Sequence, residues 1–495
     1  MYHVWLAGQE RFEADGAKLL AANRVLADMK KLTLLLTCLL TISSASTAAA
    51  KGTAGKLDPS FGAKGKAMIA FPAQSAGNVG VKYEVPFQFT AGRIEMAATP
   101  GGKLVVASST KVARLLRSGK VDHGFGQGGS VAIPPLPGMS FVLASVAVDS
   151  LGRVLVAGSA RPLPTSTTLD PLRSSAVAMR FNADGSLDQG FDGDGVLVSD
   201  LGIEPPTVPT GKYTGASVGV RSIAVDSQDR VVLTGGAVVK DSTCGPNGML
   251  SAAYVARLTQ TGGLDPGFGD GGLRRIADLA SIGQASFTFS GSLFAVGAGN
   301  PQCNEEGGGP AVVLVSFGSD GAFDPNFGFS GFRSIGYSKV PTATVAPGGK
   351  IVLLGAKRNR EQVVTRLLPN GAPDPGFGRI GRVRITGLKA ASFAAVTVDG
   401  NGRLLFAGRV SRRVSKSPRN PLRRSTFLLA RMSRDGDFDR SFGHDGSVRT
   451  GFGGPASSFA TQVFVDRGRI VVGGGISTPR LSTGGGFAVA RYLGG

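Results

Sequence analysis

One spacing, Asp-x-x-Phe-x-x-x-Gly, occurs seven times along the 495 residues without an insertion or a deletion inside it. The copies are Asp58/Phe61/Gly65, Asp122/Phe125/Gly129, Asp188/Phe191/Gly195, Asp265/Phe268/Gly272, Asp324/Phe327/Gly331, Asp374/Phe377/Gly381 and Asp439/Phe442/Gly446. Successive Asp residues lie 50 to 77 positions apart. The residue after Phe is Gly in every copy but the third, which has Asp192. A fixed motif at such intervals marks one supersecondary unit repeated, and that limits the architecture more than any local propensity does.

Between the motifs lies an apolar run, a turn and a second apolar run ending in Gly, as in Val146 to Gly158 and Val396 to Gly408. Alternation flanking an Asp/Gly/Asn turn is a hairpin signature. A further run carries an arginine: Arg114, Arg180, Arg257, Arg366, Arg431 and Arg491, with Ser316 the exception. Each repeat thus offers four strands: a after the motif, b and c in the hairpin, and d with the arginine. Sevenfold repetition without helices between gives an expected all-β fold, a seven-bladed β-propeller of four-stranded antiparallel blades. A β-solenoid would need shorter repeats and capped ends. The arginine precedes the motif Asp by eight residues, yet Asp58 has no d strand ahead of it and Arg491 no motif behind it. The two ends are complementary, so the N- and C-terminal segments are expected to close the ring. The fourth repeat departs most: its hairpin near Phe289 to Leu293 lacks the usual turn Asp, so an irregular blade is expected there.

The motif chemistry reads as structural. Asp at a turn accepts from backbone N–H groups two or three residues on. Phe fills the wedge between blades, stabilising by roughly 2 kcal/mol each. Gly supplies a positive φ. The d-strand arginine is a partner for the motif Asp, since buried charges need one. A calcium site needs several oxygen ligands. Only the third copy, with Asp184, Asp188, Asp192 and Asp194, is dense enough to be a weak candidate, and no cofactor is otherwise expected.

The segments Leu57-Asp58-Pro59-Ser60-Phe61-Gly62 and Leu264-Asp265-Pro266-Gly267-Phe268-Gly269, with hairpins such as Asp399 to Leu404, resemble the bacterial delta-60 repeat family. The resemblance covers nearly all of residues 57–495. It implies an exported, propeller-like protein and brings no catalytic residues with it.

Export has its own signal. Met29-Lys30-Lys31, the apolar run Leu32 to Ile42 and the small residues Ser43 to Ala50 read as a secretory leader, too short to span a membrane. The reading is therefore 1–28 an over-extended start, 29–50 a signal peptide, 51–56 a short linker and 57–495 one propeller, secreted to the periplasm or outside the cell. Cys244 and Cys303 then remain as a candidate disulfide between neighbouring blades.

Length variation falls in the a–b and c–d loops, which share one face and are the expected partner surface. One c–d loop holds Arg409, Arg412, Arg413, Lys416, Arg419, Arg423 and Arg424 without an acid, an anion-binding candidate in a chain of net charge +20. Beyond the leader only His123 and His444 remain, and no nucleophile elbow or phosphate loop is visible. The expectation is a monomeric, non-enzymatic binding or scaffold module for an unidentified protein or an anionic polymer at the cell surface rather than for nucleic acid. Two alternatives stand beside it: an envelope-polymer adhesin using the basic loop 409–424, and a hydrolase or lyase with its site at the central channel.

Overall fold

Each hairpin turn is tied by its own chemistry, and the blades grow outward from there. Asp149 illustrates it: Oδ1 accepts from the Leu151 and Arg153 amides at 3.1 and 2.8 Å, and Oδ2 holds Arg153 Nε at 2.6 Å. The computed structural model describes residues 53–70, 94–163, 174–203, 217–240, 249–276, 279–288, 291–299, 312–337, 341–357, 361–388, 390–414, 423–453, 457–477 and 486–495. Of these, Ala54–Gly494 form the propeller: seven four-stranded antiparallel sheets. The innermost strands, all b, are Glu95–Ala98, Met139–Val148, Ser217–Val225, Leu279–Phe287, Thr342–Val345, Ala391–Val398 and Ser457–Asp466, which number blades I to VII. The reading of residues 1–50 as start and leader lies outside the described residues.

Every blade runs b, c, d, a from the channel outward. Strand a therefore closes the blade before it, as its outer edge, and does not open the next one. Blade I, for example, is Glu95–Ala98, Leu104–Ala107, Lys111–Leu115 and Ser130–Ala132. That order completes the ring. Blade VII takes b, c and d from the C-terminal end, and its outer strand, Lys66–Ala70, comes from the N-terminal side, with Lys66 opposite Ala490. Asp58 Oδ2 accepts from Arg491 Nε at 3.0 Å. The linker assigned to 51–56 is partly structural, because Gly55 N–H donates to Leu493 O and Leu493 N–H to Lys56 O. The fourth repeat is irregular, as expected: its b strand carries a second register shift, between Leu279 and Ser281, besides the one beside Gly283, where the other bulged b strands have one each. Its turn closes through Thr288 N–H to Ser292 O at 2.8 Å, with a threonine, as at Thr99 in blade I, at the position that is Asp149, Asp226 and Asp399 in blades II, III and VI.

The core lies between blades. All seven motif phenylalanines are at most 2% exposed. Phe61 sits between Leu104, Val106 and Leu115 of blade I and Val471, Phe487 and Val489 of blade VII. Phe125 fills the next seam, against Val105 and Val112 of blade I and Val156 and Val177 of blade II. Phe191 fills the one after, against Ala157 and Ala176 of blade II and Leu233 and Tyr254 of blade III. The guanidinium groups of Arg114 and Arg180 lie 4.6 and 4.8 Å over these two rings. Six arginines clasp the seams in this way. Arg366 is typical: Nε meets Asp374 Oδ2 at 2.7 Å, the guanidinium lies 4.5 Å over the Phe377 ring, and Nη1 donates to the Arg434 carbonyl of the next blade. Arg114, Arg180, Arg257, Arg431 and Arg491 repeat the arrangement, the last across the closure to Arg117 O. The residue after each motif Phe adds a backbone bond to the neighbouring blade. Asp192, with φ of 53°, keeps that bond to Thr261 O in a backbone region that otherwise favours Gly.

The clasps set an acid limit. Burial alone would raise the motif carboxyls, but hydrogen bonds and the adjacent cations outweigh it and hold Asp58, Asp122, Asp188, Asp265, Asp374 and Asp439 below the ordinary carboxylate value. Asp192 moves the other way, raised by burial and Asp194. Lowered folded-state values mean that the stabilisation is present above the unfolded pKa near 4 and is lost as pH falls through the folded values. The urea midpoint is expected to stay level from pH 7 to about 5 and to drop steeply below about pH 4. A midpoint unchanged at pH 3 would contradict the assignment.

Candidate functional site: the central channel

The seven b strands surround a channel with a cavity of about 950 Å³. Its lining follows a rule of position. Counting back from the first residue of each b–c turn, the fourth residue is Glu95, Ser145, Ser222, Gln284, Thr342, Ala395 and Gln462 in blades I to VII, and all of them face the cavity. The fifth residue back falls on a β-bulge in blades II, III, IV, VI and VII, as the register shifts beside Ala144, Arg221, Gly283, Ala394 and Thr461 record. A bulge leaves one residue unpaired and re-aims its side chain. At Arg221 it adds a guanidinium to the lining; at Gly283 and Ala394 it adds almost nothing.

Among the described lining residues Glu95 is the single carboxylate and Arg221 the single cation. Glu95 Oε2 accepts from Gln462 Nε2 at 2.5 Å, and the same amide leans on Met96 O at 3.4 Å. The equivalent Gln284 is spent otherwise: it clamps blade V through Ala343 O at 2.7 Å and Ala343 N–H at 3.0 Å. Gln462 has thus exchanged half of that structural clamp for a bond to an acid. Thr342 Oγ1 donates to Ala394 O at 2.8 Å. The channel offers one base, one cation, hydroxyls and an amide, a set suited to a hydroxylated, negatively charged ligand. Such a site is invisible to motif spacing because its members are scattered from residue 95 to residue 462. Alignment of the hairpins on their turns would have found them.

The residues singled out by sequence have other fates. The motif phenylalanines are core and not site: Phe125 and Phe191 are both 0% exposed, and neither lines the channel cavity, so no ligand can meet their rings. Asp184, Asp188, Asp192 and Asp194 are not gathered as ligands. Asp188 holds Arg180 and Arg153, Asp184 caps Ser186 and Asp194 caps Val196. Among the described residues no three His, Cys, Asp or Glu side chains are placed to hold a metal. Cys244, Cys303, Lys416 and Arg419 lie outside the described residues. Arg409, Arg412, Arg413 and Arg424 are exposed on the c and d strands of blade VI, Leu404–Arg413 and Arg423–Met432, where Arg423 holds the first position. No helix among the described residues is long and apolar enough to cross a membrane.

No protein-family model matches the chain, and no curated protein matches it. Solved propellers do resemble it. A polysaccharide lyase aligns over 89% of this chain and 100% of its own at 8% identity and a TM-score of 0.46. An α-L-arabinofuranosidase from Fusarium graminearum aligns over 72% and 94% at 10% identity and 0.37, and the WD40 domain of Toxoplasma gondii coronin over 81% and 80% at 11% and 0.37. The expectation that the chain is not an enzyme is corrected by this finding, since a lyase and a glycosidase stand among the propellers it resembles.

Proposed function

We propose that the chain is an exported enzyme of the delta-60 repeat type that cleaves an acidic polysaccharide in its central channel by elimination. The observation that carries the reading is the presence of one carboxylate, Glu95, and one guanidinium, Arg221, among the described residues that line the channel cavity. Hydrolysis of a glycosidic bond in most glycosidases uses a pair of carboxyl groups. Elimination from a uronate needs one base and one fixed positive charge. Glu95 takes the proton at C5, the electron pair forms the C4–C5 double bond, and the C4–O bond breaks; the departing oxygen takes its proton from water. Arg221 faces the uronate carboxylate, where negative charge builds as the C5 proton leaves. Gln462 Nε2 orients Glu95.

The test is incubation with polygalacturonate and other uronate polymers while ultraviolet absorbance and new reducing ends are followed together. Elimination gives both signals. Reducing ends without absorbance would mean hydrolysis and overturn the mechanism; neither signal on any acidic polymer would overturn the function. Glu95→Gln is expected to lower turnover by about 10²–10⁴, the usual range for general base catalysis, with the unfolding midpoint unchanged.

A further inference from the structure

We infer that the outer end of the blade VI hairpin is a second binding surface, one that holds an acidic polysaccharide chain outside the channel. Arg412 stands directly opposite Arg424 in the antiparallel register. Side chains so placed lie about 4.5–5.5 Å apart at Cβ, and like charges there repel. Neither strand contributes an acid to relieve them. Arg409, Arg412 and Arg424 are exposed and make no ion pair or hydrogen bond among the described residues. Contrast the clasp arginines of the same chain, each of which meets an Asp: blade VI spends Arg431 on Asp439 and gives Arg409, Arg412 and Arg424 no acid among the described residues.

Two guanidinium groups held together against their own repulsion are relieved by a ligand carrying repeated negative charge. Arg409 lies three residues, about 10 Å, back along the strand and on its other face, so a polymer that crosses the hairpin meets a further charge there. Guanidinium forks suit carboxylate, sulfate and phosphate alike. The aromatic neighbour in register is Phe427, opposite Arg409, and it is fully buried, so bases find no stacking platform there. That favours a polysaccharide over a nucleic acid. The inference rests on the elimination reading only for the identity of the polymer, and binding and turnover are measured separately.

The experiment is retention of the whole chain on immobilised polygalacturonate, a sulfated polysaccharide, neutral arabinan and single-stranded DNA at rising salt. Wild-type protein is expected on the two acidic polysaccharides, their ratio distinguishing carboxylate from sulfate, and to leave them as salt screens the charges. Arg412→Ala/Arg424→Ala is expected to weaken retention at least tenfold, with the unfolding midpoint and the turnover of short oligomers unchanged. Glu95→Gln is expected to bind like wild type. Equal retention of the double variant, equal retention on arabinan or tighter retention on DNA would each overturn the inference. Loss of turnover with retention intact would strike the channel mechanism alone.

Discussion

Arg431→Ala is expected to destabilise the propeller by about 3–5 kcal/mol, the cost of removing one partner from a buried ion pair. The residue is 1% exposed and its side chain meets three groups at once. Nε holds Asp439 Oδ2 at 2.8 Å, Nη1 donates to the Gly494 carbonyl in blade VII, and the guanidinium lies 4.4 Å over the Phe442 ring. Burial and the nearby Arg403 push its pKa down, while Asp439 pulls it back up. Truncation leaves Asp439 facing a cavity and the carbonyl without its donor. Much of the loss is therefore the stranded carboxylate, so Arg431→Ala/Asp439→Asn is expected to recover at least about 1 kcal/mol. Arg431→Lys keeps the charge and loses the fork, so it should fall between wild type and alanine. Chemical unfolding midpoints measure all three. A loss below about 1 kcal/mol for Arg431→Ala would mean that the clasp is not what holds this seam.

Much of that clasp was legible without coordinates. The eight-residue offset from arginine to Asp paired the right groups, and the unmatched Asp58 and Arg491 located the closure, because a pairing that repeats five times defines its own missing half. The wedge role of the motif rings was legible too, and Phe125 and Phe191 fill it with no exposed surface. That the arginine also covers each ring was not, because the spacing shows which charges pair and not where a guanidinium plane lies. Blade boundaries were not legible either. Strand a follows the motif by a short turn, and the sequence holds nothing to say whether Lys66–Ala70 pairs backward with the d strand or forward with the next hairpin. The answer lies in space: Asp58 and Gly65 are tied by backbone bonds to Arg491, which carries strand a back onto the d strand. The channel was hidden for a different reason. A bulge in five b strands breaks the period-two alternation just where the lining begins, so Arg221 falls out of phase with the buried residues around it. Export, the disulfide and half of the basic loop fall on residues outside those described.

The seam after blade IV lets the chain serve as its own double mutant. Ser316 replaces the arginine, and Ser292 stands where most other blades place Lys or Arg ahead of strand c. Asp324 Oδ2 is left with Ser316 Oγ at 3.4 Å. The compensation is apolar. Opposite the clasp arginine the other blades carry Val or Leu, but opposite Ser316 stands Phe294, whose ring meets Phe327 edge-on at 6.3 Å where the other six put a guanidinium. Replacing a buried ion pair by a well-packed apolar contact is often neutral or favourable, which explains why this seam survives. Ser316→Arg alone drives a charged side chain into a filled space and is expected to cost about 1–3 kcal/mol. Phe294→Val alone opens a cavity, at about 2–3 kcal/mol. Together they rebuild the clasp, with Asp324 as the carboxylate and the Pro369 carbonyl, three residues past Arg366, as the acceptor. The double variant is expected within about 1 kcal/mol of wild type, a coupling of at least about 2 kcal/mol. Additive losses would mean that the aromatic pair and the arginine are not alternative solutions to one seam.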